Sequence, residues 1–147
     1  MVKPIPDGYH TVTPFMNIKD CAAAIELYKK ALGAEERHRM AGPDGVVMHA
    51  EIKIGDSVIM LSEAMMSSAT TSSHMLYVTD CDACFKRATD AGMTVKQPLT
   101  DQFWGDRHGI VEDAFGNRWG FATHKEDVSP EEMGKRAKAF MEEMAKK

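Results

Sequence analysis

The sequence predicts an α+β fold built from two β-α-β-β-β modules followed by a C-terminal helix. Two observations carry this expectation. The first is the stretch 46–61, V-V-M-H-A-E-I-K-I-G-D-S-V-I-M-L, whose side chains alternate on both sides of Gly55 and Asp56. A Gly-first two-residue loop between such runs favours a type II′ hairpin turn, because glycine adopts a positive φ there at little cost. The second is an internal repeat. Asp20 to Asp80 is 60 residues, Gly33 to Gly92 is 59, and Gly55 to Gly116 is 61. Landmarks recurring with a drift of one residue indicate a duplicated unit. An Asp-Cys pair even opens the helix of each copy.

Taken in order, residues 1–9 hold Pro4, Pro6 and Gly8 and read as an irregular lead-in. Residues 10–18 alternate enough for a strand, with Pro14 indicating an edge or a bulge. Asp20 caps a helix over 21–32, with Ile25, Tyr28 and Leu32 at helical spacing and Gly33 as the residue that ends it. A strand at 35–40, a Pro-Asp-Gly turn within 41–45 and the hairpin complete the first module, 10–64. Residues 65–72, M-M-S-S-A-T-T-S, are small, polar and unpatterned, which suits a linker. The second module, 73–124, repeats the order. It has a strand at 74–78, a helix capped by Asp80 or Asp82 and ending at Gly92, then strands at 94–98, 107–112 and 118–123. Ser129, Pro130 and Glu132 form a capping box with proline at the first helical position, opening a charged helix over 129–144. Its Phe140 and Met144 lie one turn apart on a narrow apolar stripe.

The hairpin turn also fixes a register. Ile54 falls opposite Ser57, Ile52 opposite Ile59, Glu51 opposite Met60 and His49 opposite Ser62, and residues directly opposite share a face. One face carries Ala50, Ile52, Ile54, Ile59 and Leu61 and needs a helix against it. The other carries His49, Glu51, Lys53, Val58, Met60 and Ser62, a mixture in which chemistry is to be sought.

Bulk properties narrow the function classes. A chain of 147 residues accommodates one domain, or two small modules sharing a core. A net charge of −4 with no basic cluster argues against nucleic acid as a partner. No apolar run approaches the ~18 residues of a membrane span, and no signal-peptide pattern opens the chain, so a cytoplasmic location is expected. Three cysteines give no disulfide framework. Cys81 and Cys84 form C-x-x-C without a second pair at zinc spacing, and two small residues on one helical face account for them. Methionine suits irregular gaps and adaptable pockets, and the chain has 12.

The whole pattern resembles the vicinal-oxygen-chelate superfamily of glyoxalase I, the bleomycin- and fosfomycin-resistance proteins and the extradiol dioxygenases, and within it the PhnB-like, glyoxalase-like branch. The resemblance rests on P-I-P-D-G-Y-H-T-V-T-P at 4–14, H-A-E-I-K-I-G-D-S-V-I-M-L at 49–61, D-Q-F-W-G-D-R at 101–107, D-A-F-G-N-R-W at 113–119 and T-H-K-E-D-V-S-P-E-E-M at 123–133. It covers nearly the whole chain. It implies two modules side by side whose sheets curl into one open, cup-shaped mixed β barrel with the helices outside. Metal-dependent members hold a divalent ion in the cup with His or Glu from the first and last strands of each module. Carried onto this sequence, those positions are Thr13, Met60, Ser73 and Gly120, and a one-residue slip at His74 recovers a single ligand. Two hydroxyls, a thioether and a glycine do not hold a hard or borderline divalent ion, so no metal is expected.

The cup residues that remain are the site candidates. His49 and Glu51 lie two apart on one strand face, Cα atoms ~7 Å apart. They suit either an acid–base pair or two wet, water-bound side chains. The stretch 102–107, Q-F-W-G-D-R, offers Trp104 and Arg107 to a planar or anionic ligand. Its alternative is that Phe103 and Trp104 close the barrel mouth while Arg107 pairs with Asp106. His10, His38 and His124 are expected near surfaces or turns, and His108 is retained because it lies in the counterpart of the His49 strand. Phe115 and Trp119 are assigned to the core. The expectation is therefore a metal-free small-molecule-binding protein with ligand contacts from His49, Glu51, Met60, Trp104 and Arg107. The alternative is a lyase, isomerase or oxygenase using His49 and Glu51 as an acid–base pair or as unconventional metal ligands. A homodimer is expected, with the C-terminal helix contributing to the contact.

Overall fold

The computed structural model describes residues 2–65 and 68–147. The first module comprises β1 (Phe15–Ile18), α1 (Cys21–Leu32), β2 (Glu35–Ala41), β3 (Val47–Ile54) and β4 (Ser57–Glu63). The second comprises β5 (Ser73–Tyr77), α2 (Cys81–Asp90), β6 (Thr94–Asp101), β7 (Asp106–Glu112) and β8 (Arg118–His124), and α3 (Pro130–Ala145) follows. Of the expected linker, residues 66 and 67 lie outside the described residues.

Each module forms its own four-stranded sheet, ordered β1-β4-β3-β2 and β5-β8-β7-β6. The first strand of each module runs parallel to the last, and the remaining pairs are antiparallel. The two sheets do not curl into the single barrel expected. The modules meet instead through α1 against α2 and through one hydrophobic core that both supply.

The hairpin follows its predicted register, with Ile54 opposite Ser57, Ile52 opposite Ile59 and Glu51 opposite Met60. Gly55 has φ 59° while Asp56 keeps a negative φ, the signature of a type II′ turn. Ala50, Ile52, Ile59 and Leu61 are buried under the helix as the alternation requires.

Helix ends show the duplication most clearly. Asp20 caps α1 as expected, but it sits at φ 67°, and its carboxylate accepts only a long bond from Ala23 N at 3.4 Å. The stronger cap comes from β4. Glu63 accepts from the backbone N–H groups of Asp20 and Cys21 at 2.8 and 2.9 Å. In the second module Thr123, 60 residues on, accepts from Cys81 N at 2.9 Å. Gly33 closes α1 at φ 67°, and Arg87 of α2 donates to the carbonyls of Lys30 and Lys29 at 2.8 and 3.3 Å. A side chain of one module therefore satisfies the helix terminus of the other.

Two strand boundaries differ from expectation by more than one residue, both at prolines. β1 starts only at Phe15, and residues 10–14 form no strand. Pro14 has no N–H to add to a ladder, though its carbonyl accepts from Met60 N at 3.0 Å. β6 runs past Pro98 to Asp101, with register shifts between Val95 and Gln97 and between Gln97 and Thr100. An edge strand absorbs a proline there through a bulge.

α3 is capped as predicted, Ser129 accepting from Glu132 N at 3.2 Å. It has no buried residue. It rests on the loop before β7, with the Phe140 ring 5.1 Å from that of Phe103 and Arg136 Nη1 donating to Phe103 O at 3.2 Å.

Candidate binding faces

Alternation along the strands gives each sheet a face turned away from the helices. On the first sheet this open face carries Phe15, Asn17, His49, Glu51, Met60 and Ser62. Met60 lies between Phe15 and Glu51 in the ladders. The His49 ring sits 5.9 Å from that of Phe15. Glu51 and Met60 also line a cavity of about 480 Å³ whose other wall is the lead-in, including Pro4, Ile5, Tyr9 and Thr13. His49 and Glu51 make no side-chain hydrogen bond to each other or to any other described residue. Two side chains two residues apart on one strand face are thus both open to a ligand or to water.

On the second sheet the open face carries Met75, Tyr77, Asp106, His108, Gly120 and His124. Asp106 is its charged hub. Buried beneath the face, it accepts from Tyr77 OH at 2.8 Å and from Trp104 Nε1 at 3.1 Å, and it pairs with His124 Nδ1 at 2.8 Å. Burial alone would push the Asp106 carboxyl upward, but the bonds from His124, Tyr77 and Trp104 hold it below the usual carboxylate range. His124 Nε2 bonds Asp127 at 2.7 Å, and Asp127 and then Asp106 raise the His124 pKa above its ordinary value. The His108 ring lies 6.0 Å from that of Trp104.

The candidates are therefore divided. Glu51 and Met60 come together with His49 on the first sheet, and Trp104 stands on the second. Arg107 belongs to neither open face. It lies one residue out of phase with Asp106 and His108, so it points toward α2, where Nε and Nη2 both meet Asp82 at 2.9 Å and Nη1 meets Asp101 at 3.3 Å. Its partners are thus Asp82 and Asp101, not the Asp106 of the alternative expectation. His74, the slip candidate for a metal, is likewise on the helix side of β5. It stacks on Trp119 at 4.5 Å and bonds Ser72 Oγ at 2.9 Å. Burial lowers its pKa. Trp119 is fully buried, as assigned, and Cys81 and Cys84 are free thiols on the inner side of α2.

The register also locates the positions at which the superfamily places a metal. Thr13 precedes β1, and Ser73 pairs with Arg118. The first-strand residues that adjoin Met60 and Gly120 are Phe15 and Met75. Among the described residues no three His, Cys, Asp or Glu side chains converge as a metal-holding set. A phenyl ring, two thioethers and a glycine do not fit a divalent ion.

Several members of the open faces escape a reading of single motifs, namely Phe15, Met75, Tyr77 and Asp106. The repeat held the signal: adding 60 to Phe15 and Met60 gives Met75 and Gly120.

Comparison with known proteins fits this architecture. Residues 9–121 match the Glyoxalase/Bleomycin resistance protein/Dioxygenase superfamily, and this chain belongs to it. An uncharacterized protein of Mycobacterium bovis is 37% identical over 83% of this chain and 88% of its own length. Among solved structures, TioX from Micromonospora sp. ML1 superposes with a TM-score of 0.66 at 25% identity, covering 77% of this chain and 98% of TioX. TnmS3, an antibiotic-binding protein from Streptomyces sp. CB03234, superposes with a TM-score of 0.64 at 20% identity, covering 84% of this chain and all of TnmS3. No helix among the described residues is long and apolar enough to cross a membrane.

Proposed function

We propose that this chain is a metal-free small-molecule-binding protein of its superfamily, of the PhnB-like branch, acting in the cytoplasm as a homodimer. The observation that carries the reading is the chemistry of the open sheet faces. Where a metal-dependent member presents donors, the ladders here set Met60 beside Phe15 and Met75 beside Gly120. Phe15, Met75 and Tyr77 are 51%, 48% and 66% exposed. Apolar surface gathered on a sheet face marks a ligand or protein contact. The fold shared with an antibiotic-binding protein supports the ligand. The exposed Met141 and Met144 of α3, together with the open strand edges, support a second copy.

Elemental analysis of protein purified without added metal tests the first part, and the reading predicts less than a tenth of an equivalent of any divalent ion, about the level of contamination. One ion per chain retained through gel filtration would contradict it. An enzyme of lyase, isomerase or oxygenase type is the second reading, favoured by the unpaired His49 and Glu51 beside a cavity. It requires that His49→Ala and Glu51→Ala abolish a turnover that the wild-type chain shows.

A further inference from the structure

The second sheet hides a polar group that nothing else in the fold explains. His108 is only 6% exposed, yet neither ring nitrogen has a hydrogen-bond partner among the described residues. Buried polar groups in folded proteins are almost always paired, and an unpaired one is a standing cost. It stands on the open face of β7, opposite Ala122 and diagonal to Gly120 in the β7–β8 ladder, with the Trp104 ring as a flat wall 6.0 Å away. The Met75 side chain lies over the neighbouring Gly120. A Cβ built on Gly120 would lie 2.9 Å from Met75 Sδ and 3.5 Å from His108 Nε2, so the thioether and the imidazole share the space that the missing side chain leaves.

We propose that His108 is the polar anchor of the ligand site, engaging the hydroxyl of an uncharged planar aromatic molecule once the Met75 side chain swings aside. This deepens the binding function proposed above and rests on it. Met75 suits the task because a thioether on three rotatable bonds repacks at little cost, and it is already half exposed. Swinging outward, it uncovers the imidazole on the open face of the second sheet. Burial lowers the His108 pKa, a shift that the Asp106 charge offsets only in part, so the ring is held neutral. A neutral imidazole accepts at one nitrogen and donates at the other. A phenolic hydroxyl meets the acceptor, and its ring lies against Trp104. A carboxylate in the same place would be desolvated without a free cation facing it, since Arg107 is held by Asp82 and Asp101 on the other side of the strand and both nitrogens of His124 are taken by Asp106 and Asp127.

Calorimetry with naphthol, methoxynaphthalene and naphthoate tests this on the full chain. The wild type is expected to prefer naphthol to methoxynaphthalene by about fivefold, the worth of one neutral hydrogen bond, and to bind naphthoate weakest. His108→Phe, which keeps a flat ring, should bring naphthol down to the affinity of methoxynaphthalene and leave the latter within about twofold. A naphthol preference that survives His108→Phe overturns the anchor, and so does tighter binding of naphthoate. Binding of none of the three by the wild type overturns the anchor and the binding function together. Equal binding of naphthol and methoxynaphthalene overturns the anchor alone. Because His108→Phe alters a buried site, wild-type protein labelled with nitrogen-15 histidine gives a second readout. Naphthol must move the nitrogen resonances of one imidazole that methoxynaphthalene leaves in place, and unmoved resonances contradict the proposal even if the variant does not fold.

Discussion

Asp113 shows how much one side chain can hold. It is buried where the two modules meet, and it accepts from Tyr28 OH at 2.6 Å, Trp119 Nε1 at 3.0 Å and the backbone N–H groups of Phe115 and Asn117 at 2.9 Å each. Tyr28 comes from the first module and the other three from the second. Removing the acceptor leaves four donors unpaired in an apolar core, so Asp113→Ala should cost about 3 kcal/mol or more in urea unfolding, against about 1 kcal/mol for Tyr28→Phe. Equal, small effects would show that the network is not under load. His124 gives a pH test at the same scale. Its folded pKa is raised, by Asp127 and then by Asp106, so the folded state favours the imidazolium. The stabilisation is complete below the unfolded value near 6.5 and is lost as pH rises through the folded pKa. The gap in unfolding midpoint between wild type and His124→Asn should therefore narrow from pH 5.5 to about pH 8, and a gap that widens would contradict the sign. Residue-level reading of the sequence was most accurate where alternation decides, as at Glu51 and Met60. At Arg107 the stretch alone does not show the phase: in a strand the neighbour of a cup residue faces the other way, and the guanidinium meets Asp82 and Asp101.

At the scale of elements, caps and turns were legible because their signals are local. Gly55, Gly33, Asp80 and Ser129 each act where the sequence placed them. The Glu63 cap on α1 was not legible, since donor and acceptor lie more than 40 residues apart. Gly33 carries two constraints at once. Its φ of 67° disfavours any side chain, and a Cβ there would come within 2.8 Å of Arg87 Nη1. Gly33→Ala should destabilise the fold by about 1–2 kcal/mol through backbone strain. Combining it with Arg87→Ala should cost less than the sum of the two single changes, because both act on one helix end. Strict additivity in urea unfolding would show that Arg87 gives way freely and that α1 does not depend on its cap.

At the scale of the molecule, the duplication was visible in the sequence, whereas the way the duplicated sheets sit was not. Whether two such sheets close into a barrel depends on which surfaces the modules use to pack together, and here they use the helices. That leaves both open faces, and the outer side of α3, available to a partner. Phe140 is engaged with Phe103 of its own chain, so the exposed Met141 and Met144 are what α3 offers to a second copy. Light scattering should therefore give two chains for the full protein at micromolar concentration. Truncation after Val128 should weaken that dimer without unfolding the chain, since α3 buries no residue. A full-length monomer would contradict the assembly. If the open faces bind small molecules without a metal, the ligand affinity is independent of bound ions. The most direct test is calorimetry of naphthol binding before dialysis against EDTA, after it, and after reloading with one equivalent of zinc or manganese. The same affinity is expected in all three states, within about twofold. Binding abolished by EDTA and restored by the ion would contradict it.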